Sequence, residues 1–212
     1  MNRYSTSPPN PLSKHGEGEK DGAQSSHMSA IQVTTPLTDE AVRALKVGDQ
    51  VSLSGVIYGA RDAAHKRMIA TLDAGGDLPV PLDGQVIYYV GPAPARPGEV
   101  IGSAGPTTST RMDSFTPALL ARGLKGIIGK GSRNETVRES LKRYNAVYLV
   151  AVGGAAALIA EHIKQVEVIA YEDLGTEAIH RMVVEDFPLV VANDAHGGDL
   201  YEQGKQAWRR SQ

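Results

Sequence analysis

KGIIGKGSRNETVRESLKRYNAVYLVAV, residues 125–152, decides the fold class. KGIIGKG (125–131) is a short apolar run closed by glycine, the pattern of a buried strand. ETVRESLKRY (135–144) places Val137, Leu141 and Tyr144 on one helical stripe. NAVYLVAV (145–152) returns to β-branched and aromatic residues, and GGAAALIAEHI starts another helix directly after it. Strand and helix alternate through residue 170, which predicts a partly parallel sheet with helices on its faces.

Upstream, the pattern becomes richer in strands. TDEAVRAL (38–45) reads as a helix capped by Thr38 with acids in its first turn, and Gly48 stops it. QVSLSGVIY (50–58) alternates as a strand with a bulge expected at Gly55, RDAAHKRMIATL (61–72) has strong helix propensity, and QVIYYV (85–90) is a further strand. GPAPARPG enforces a loop, and PALLARGL (117–124) is a short helix. Downstream, VEVIAYE (166–172), RMVVEDF (181–187) and PLVVAND (188–194) supply three more β-rich runs. The front half excludes a simple doubly wound sheet. The expectation is one mixed α/β domain over 31–205, followed by a C-terminal tail at 206–212.

Residues 1–30 differ from all that follows. They are rich in Ser, Pro and Gly, without apolar periodicity, and cannot bury enough surface to offset their ordering entropy. They read as a disordered extension or an added leader, with a docking tail as the alternative; His27-Met28 points to a natural start near Met28.

The 212-residue chain carries a net charge of −2, which argues against electrostatic binding of nucleic acid or anionic membrane. No apolar run reaches the roughly 20 residues of a membrane span, and no secretory leader opens the chain, so a cytoplasmic setting is expected. There is no cysteine, hence no disulfide and no thiolate for zinc or an iron–sulfur cluster.

Candidate chemistry concentrates in three segments. GSAGPTTSTRMDSF (102–115) gathers five hydroxyl-bearing residues ahead of Arg111 and is poor helix and poor strand. GARDAAHKR (59–67) sets Arg61 at a helix start straight after a strand, and IGKGSR (128–133) sets Lys130 at a strand end between two glycines. Arginine grips a carboxylate with two parallel hydrogen bonds, whereas lysine is a compact point charge. A small dicarboxylate suits such a set, and a threonine hydroxyl among the cations could move a proton. Surface cations are common, so the residue types leave a plain solvated face open as well.

Other motifs carry less. VAVGGAAALIA (150–160) lacks the full glycine spacing and the acid of a dinucleotide site, so its glycines read as close helix–sheet packing, with anion binding by backbone N–H groups as the alternative. NDAHGGD (193–199) reads as a polar turn, with metal binding through Asp194, His196 and Asp199 as the alternative. His65 and His162 lie in helical segments and read as packing or polar residues. No GxSxG elbow is present.

Taken in order, GARDAAHKR, IYYVGPAPARPGEVIGSAGPTTSTRMD, GIIGKGSR, VAVGGAAALIA, YEDLGTEAIHRM and NDAHGGDLY resemble the C-terminal or beta part of the class I, iron–sulfur fumarate hydratases, a family that also includes L(+)-tartrate dehydratase. The likeness spans roughly residues 31–205, and GPTTSTRMD is its most specific piece. The resemblance implies a swivelling β/β/α domain and a hydro-lyase active only with an alpha subunit, in an α2β2 assembly. It implies a [4Fe–4S] cluster held by three cysteines of that alpha part, which the cysteine-free composition fits.

By the same resemblance Thr107 matches the base that removes the C3 proton of malate, and Arg111 matches an arginine that grips a substrate carboxylate. Arg61 and Lys130 match cations lining the pocket. The open iron of the alpha part is the Lewis acid of the family. Fumarate is favoured over tartrate by the RDAAHKR and YEDLGTEAI segments. A non-catalytic module on the same fold is the reading from another class; intact Thr107, Arg111, Arg61 and Lys130 argue against it.

Overall fold

Two long strands organise the sheet. β2 (Gln50–Gly59) and β7 (Ile179–Asn193) run antiparallel from Gln50↔Val190 to Gly59↔His180. Along its other edge β2 takes two parallel partners in succession, β1 (Ile31–Thr34) beside Val51–Ser54 and β3 (Val86–Tyr88) beside Tyr58–Gly59. Parallel pairing continues from β3 to β4 (Gly126–Gly129) and on to β5 (Val147–Ala151). β5 then pairs antiparallel with β7 at Leu189–Asn193, while β6 (Ile163–Ala170) lines the earlier half of β7. The ladder β2–β3–β4–β5–β7 thus returns to β2 and closes on itself. This computed structural model describes residues 30–151 and 156–210. The extension before Ala30 and the paired glycines Gly153 and Gly154 lie outside the described residues.

The fold is the mixed α/β arrangement expected, with its sheet mostly parallel. Helices α1 (Asp39–Ala44), α2 (Asp62–Asp73), α3 (Thr116–Leu120), α4 (Glu135–Arg143) and α5 (Ala156–Glu161) fill the connections, and α6 (Leu200–Arg210) follows β7. Thr38 accepts from the Ala41 N–H and Asn134 from the Val137 N–H, each satisfying a donor that the first helical turn leaves unpaired. No helix among the described residues is long and apolar enough to cross a membrane.

Three readings need correction. β1 carries no strand assignment in the sequence, because four residues before a proline offer too short a pattern. RMVVEDF and PLVVAND are one strand rather than two. Pro188 falls between the end of the β6 ladder at Val184 and the start of the β5 ladder at Leu189, so the far edge of β7 makes no ladder there. The bulge expected at Gly55 is present in the ladder, but its extra residue belongs to β7. Between Leu53↔Phe187 and Gly55↔Val184, Glu185 and Asp186 face Ser54 alone, with Asp186 at φ 49.

Alternation along β3, β4 and β5 sorts side chains into two cores. Val86, Tyr88, Ile128, Val147 and Leu149 join Leu53, Ile57, Met182 and Phe187 on one side. Ile87, Tyr89, Ile127 and Tyr148 face the other way, against Met68 of α2, Leu119 of α3 and Leu141 of α4. Each fully buried large apolar side chain is worth about 1.5–3 kcal/mol. This second core is the floor on which the candidate site rests.

Candidate active site

β2, β3 and β4 are neighbours and parallel, so their carboxyl ends share one edge of the sheet. Parallel α/β sheets, closed as well as open, bind ligands at the carboxyl ends of their strands. Arg61 follows the end of β2 and is the N-cap residue of α2. Lys130 follows β4 directly, with its side chain exposed. Thr107 reaches the same edge from the long loop after β3, where its N–H donates to the Tyr89 carbonyl at 2.7 Å.

The loop is then stitched to β4. Thr108 bridges Lys130 in parallel register, the Ser109 N–H donates to the Lys130 carbonyl at 3.0 Å, and the Lys130 N–H donates to Ser109 Oγ at 3.1 Å. Ser109 lies 2.8 Å from the Tyr148 hydroxyl, which donates to the Gly131 carbonyl at 2.8 Å. Gly129 leaves the room that the Ser109 hydroxyl occupies, since a Cβ there would overlap it unless Ser109 moved. Earlier in the loop the Tyr88 hydroxyl donates to the Ala104 carbonyl. Residues 109–112 close into a 3-10 turn that carries Arg111.

Arg61 and Arg111 converge on one carboxylate. Arg111 Nε lies 2.6 Å from Asp62 Oδ1, and Arg61 Nε lies 3.1 Å from Asp62 Oδ2. Burial by itself would raise the Asp62 pKa. Its own backbone N–H, Arg61 and Arg111 outweigh that and hold the carboxyl below its ordinary value. Glu177, in the 3-10 segment Glu172–Glu177, stands 3.5 Å from Arg61 Nη2 and accepts from the Ala63 N–H at 2.9 Å. Gly91 opens the slot for Arg61, since a Cβ there would come within 2.9 Å of the Arg61 Cδ.

All four sequence-predicted residues therefore reach one edge. Arg61 and Arg111 are joined through Asp62, and the loop that carries Thr107 is stitched to Lys130 by Thr108 and Ser109. Sequence reasoning missed Asp62, Glu177, Ser109, Asp113 and Arg133. Asp62 was findable as the acid beside Arg61, and Ser109 stood in the quoted loop. Glu177 stands 114 positions from Ala63, the residue whose N–H it accepts, and no local signal links them.

Arg133, in the same IGKGSR segment as Lys130, is wholly buried. Its Nε donates to Asp113 Oδ1 at 2.7 Å and its Nη2 to Thr116 Oγ1 at 2.9 Å, and its guanidinium packs over the rings of Tyr89 and Tyr148. Burial alone would lower its pKa, but Tyr89, Asp113 and Tyr148 reverse the direction and keep it charged. His65, also fully buried, holds its Nδ1 2.9 Å from the Arg61 carbonyl and meets Tyr89 edge-on. Burial pushes its pKa down to about 4, so it is neutral near pH 7.

NDAHGGD behaves as a turn. Asp194 accepts from the N–H groups of Val47, His196 and Gly198, and Asp199 accepts from Tyr201, Glu202 and Arg138. Among the described residues no group of three or more His, Asp or Glu is placed to hold a metal ion.

A family model described as "Fumarase C-terminus" matches residues 5–204. The chain is 36% identical over 199 residues to "Fumarate hydratase class I, aerobic" of Escherichia coli K12, covering 92% of this chain and 35% of that protein. It is 41% identical over 159 residues to "Fumarate hydratase 1, mitochondrial" of Leishmania major, covering 74% of this chain and 29% of that one. It is 39% identical over 173 residues to "Putative L(+)-tartrate dehydratase subunit beta" of Methanocaldococcus jannaschii, covering 79% of this chain and 89% of that subunit. The chain thus spans only 35% of the length of the Escherichia coli relative.

Proposed function

The chain belongs to the Fumarase C-terminus family, and on that premise we propose that it is the beta subunit of a class I fumarate hydratase. It would catalyse the reversible hydration of fumarate to L-malate with a [4Fe–4S]-bearing alpha subunit. The observation that carries this reading is the convergence of Arg61 and Arg111 on one carboxylate, beside the loop that joins Thr107 to Lys130. Two guanidiniums and an ammonium at one sheet edge suit a dianion with a carboxylate at each end.

The residues of this chain do not fit the cluster itself. It has no cysteine, and the cluster is assigned to the alpha partner, where it would act as Lewis acid. This chain's part is to bind and to move a proton. Arg111 grips one substrate carboxylate, and Arg61 and Lys130 supply further positive charge. Thr107 takes the proton from C3 of malate and returns it in hydration. A threonine hydroxyl can act as a base only as its alkoxide, so the site's cations must lower its pKa and a partner carboxylate must first take the hydroxyl proton. The alkoxide then takes the C3 proton as the C2 hydroxide leaves.

The test is anaerobic reconstitution with the alpha chain and its cluster, following fumarate absorbance from L-malate and oxaloacetate from L-tartrate. Malate turnover that requires both chains is expected. Tartrate turnover alone would move the chain to the dehydratase, a reading that the Methanocaldococcus relative supports. No turnover with a loaded cluster would favour a non-catalytic module. Thr107→Ala should reduce kcat by about 10²–10⁴-fold while assembly persists, the range for losing a general base.

A further inference from the structure

We propose that Asp62 and Glu177 are the positioning carboxylates of this site, holding Arg61 and Arg111 so that the terminal nitrogens of Arg111 and Nη1 of Arg61 are left for the ligand. The inference deepens the dicarboxylate reading above and rests on it for the identity of the ligand.

Arg111 meets Asp62 through Nε, and no other bond of its guanidinium is present among the described residues. Arg61 also meets Asp62 through Nε, and its Nη2 stands beside Glu177, which leaves Nη1 without a polar partner among the described residues. A guanidinium has five N–H donors in a rigid fork. Anchoring it at Nε fixes the plane and leaves terminal donors for a carboxylate. One aspartate with one oxygen for each arginine sets the two forks relative to each other.

The arrangement answers an electrostatic problem. Arg61 is the N-cap of the twelve-residue α2 and makes no side-chain cap bond, so a cation sits at the positive end of a helix. Asp62 in the first turn and Glu177 on the Ala63 N–H supply the negative charge and the missing acceptor. The segment carrying Glu177 is itself pinned to α2. Arg67 makes two 2.7 Å bonds to Asp173 and lies over the Tyr171 ring. Gly91 borders Arg61 on another side, where a Cβ would lie 2.9 Å from Arg61 Cδ and 3.2 Å from both Arg61 Nη1 and the Thr176 carbonyl. YEDLGTEAI therefore has a task that its residue types do not announce: it is the buttress for Arg61.

The experiment combines two readouts on Asp62→Asn and Glu177→Gln. In the full chain labelled with nitrogen-15 arginine, the Nε–H resonances of Arg61 and Arg111 are assigned by Arg61→Lys and Arg111→Lys. Protected signals are expected for both in the unsubstituted chain. Asp62→Asn should expose both to solvent exchange, and Glu177→Gln should alter Arg61 alone. Unchanged resonances in Asp62→Asn would overturn the proposal. In the enzyme assembled with its partner, Asp62→Asn should lower kcat/KM about 10²-fold, the scale of a misplacement near 1 Å. Glu177→Gln should raise KM about tenfold with kcat within about twofold, as expected when a binding group loses its orientation. Wild-type kinetics in both variants would overturn it too. If the unsubstituted assembly turns over no dicarboxylate, the functional reading fails, and the resonances still decide the positioning role.

Discussion

Arg111 and Arg133 each hold an aspartate through Nε, at 2.6 Å for Asp62 and 2.7 Å for Asp113. Their surroundings are opposite. The Arg111 side chain is 50% exposed, whereas the Arg133 side chain is 0% exposed and its aspartate 8%. Asp113 spends its second oxygen on the Asn134 N–H, and Thr116 takes another donor of Arg133. Asp62 spends its second oxygen on another arginine. One pair is closed, its bonds directed into the fold. The other is open, with donors left over. Arg133 Nη1 is also left without a hydrogen-bond partner, but it is buried. Exposure rather than spare valence therefore distinguishes a pair suited to a ligand from a pair that holds the loop together.

The largest effect should come from breaking the closed pair. Arg133→Met leaves Asp113 buried and uncompensated, which should cost about 3–5 kcal/mol of stability, read as a lower denaturant midpoint. A loss no greater than that of Arg111→Lys would abolish the distinction between the two pairs.

His65, beneath the same floor, sharpens the contrast through pH. Its folded pKa near 4 lies below the ordinary histidine value of 6.5, so above pH 6.5 neither state carries the extra proton. Between those values the unfolded chain binds a proton that the folded chain refuses, and stability falls as pH falls. At 1.36 kcal/mol per unit the loss approaches about 3 kcal/mol near pH 4. His65→Leu should flatten that part of the stability–pH curve; an unchanged slope would show that His65 is not its source.

Gly129→Ala tests the seam between the regions. Its Cβ would displace Ser109, which ties the Thr107–Arg111 loop to Lys130. A cost of about 1–3 kcal/mol is expected from overpacking. Turnover in the assembled enzyme should fall further than that loss of stability explains, and undiminished turnover would detach the seam from function. The smallest change in stability belongs to the open pair. Arg111→Lys should move stability by no more than about 0.5 kcal/mol, as for exposed substitutions. It should still raise KM, because lysine cannot reproduce the two-pronged grip on a carboxylate. Unchanged KM and kcat would remove Arg111 from substrate binding.

Much of this was legible in the chain. The helices around Ala41, His65 and Val137 follow from capping residues, propensity and apolar spacing, which are local properties. The parallel core followed from strand–helix alternation, and the candidate edge from glycines and cations at strand ends. β7 resisted because proline reads locally as a break, while its tolerance depends on where β6 stops and β5 begins.

By itself, then, the sequence determined most of the element types, the mixed α/β class, the absence of thiolate ligands and the segments that carry Arg61, Thr107, Arg111 and Lys130. Only the tertiary structure decided that β7 closes the sheet, that Arg133 is enclosed while Lys130, three residues earlier, is exposed, and that Glu177 stands against Arg61. The physical reason is range. Propensity, capping and periodicity act over a few neighbouring residues, whereas burial and charge pairing are set by which distant segments the sheet brings together.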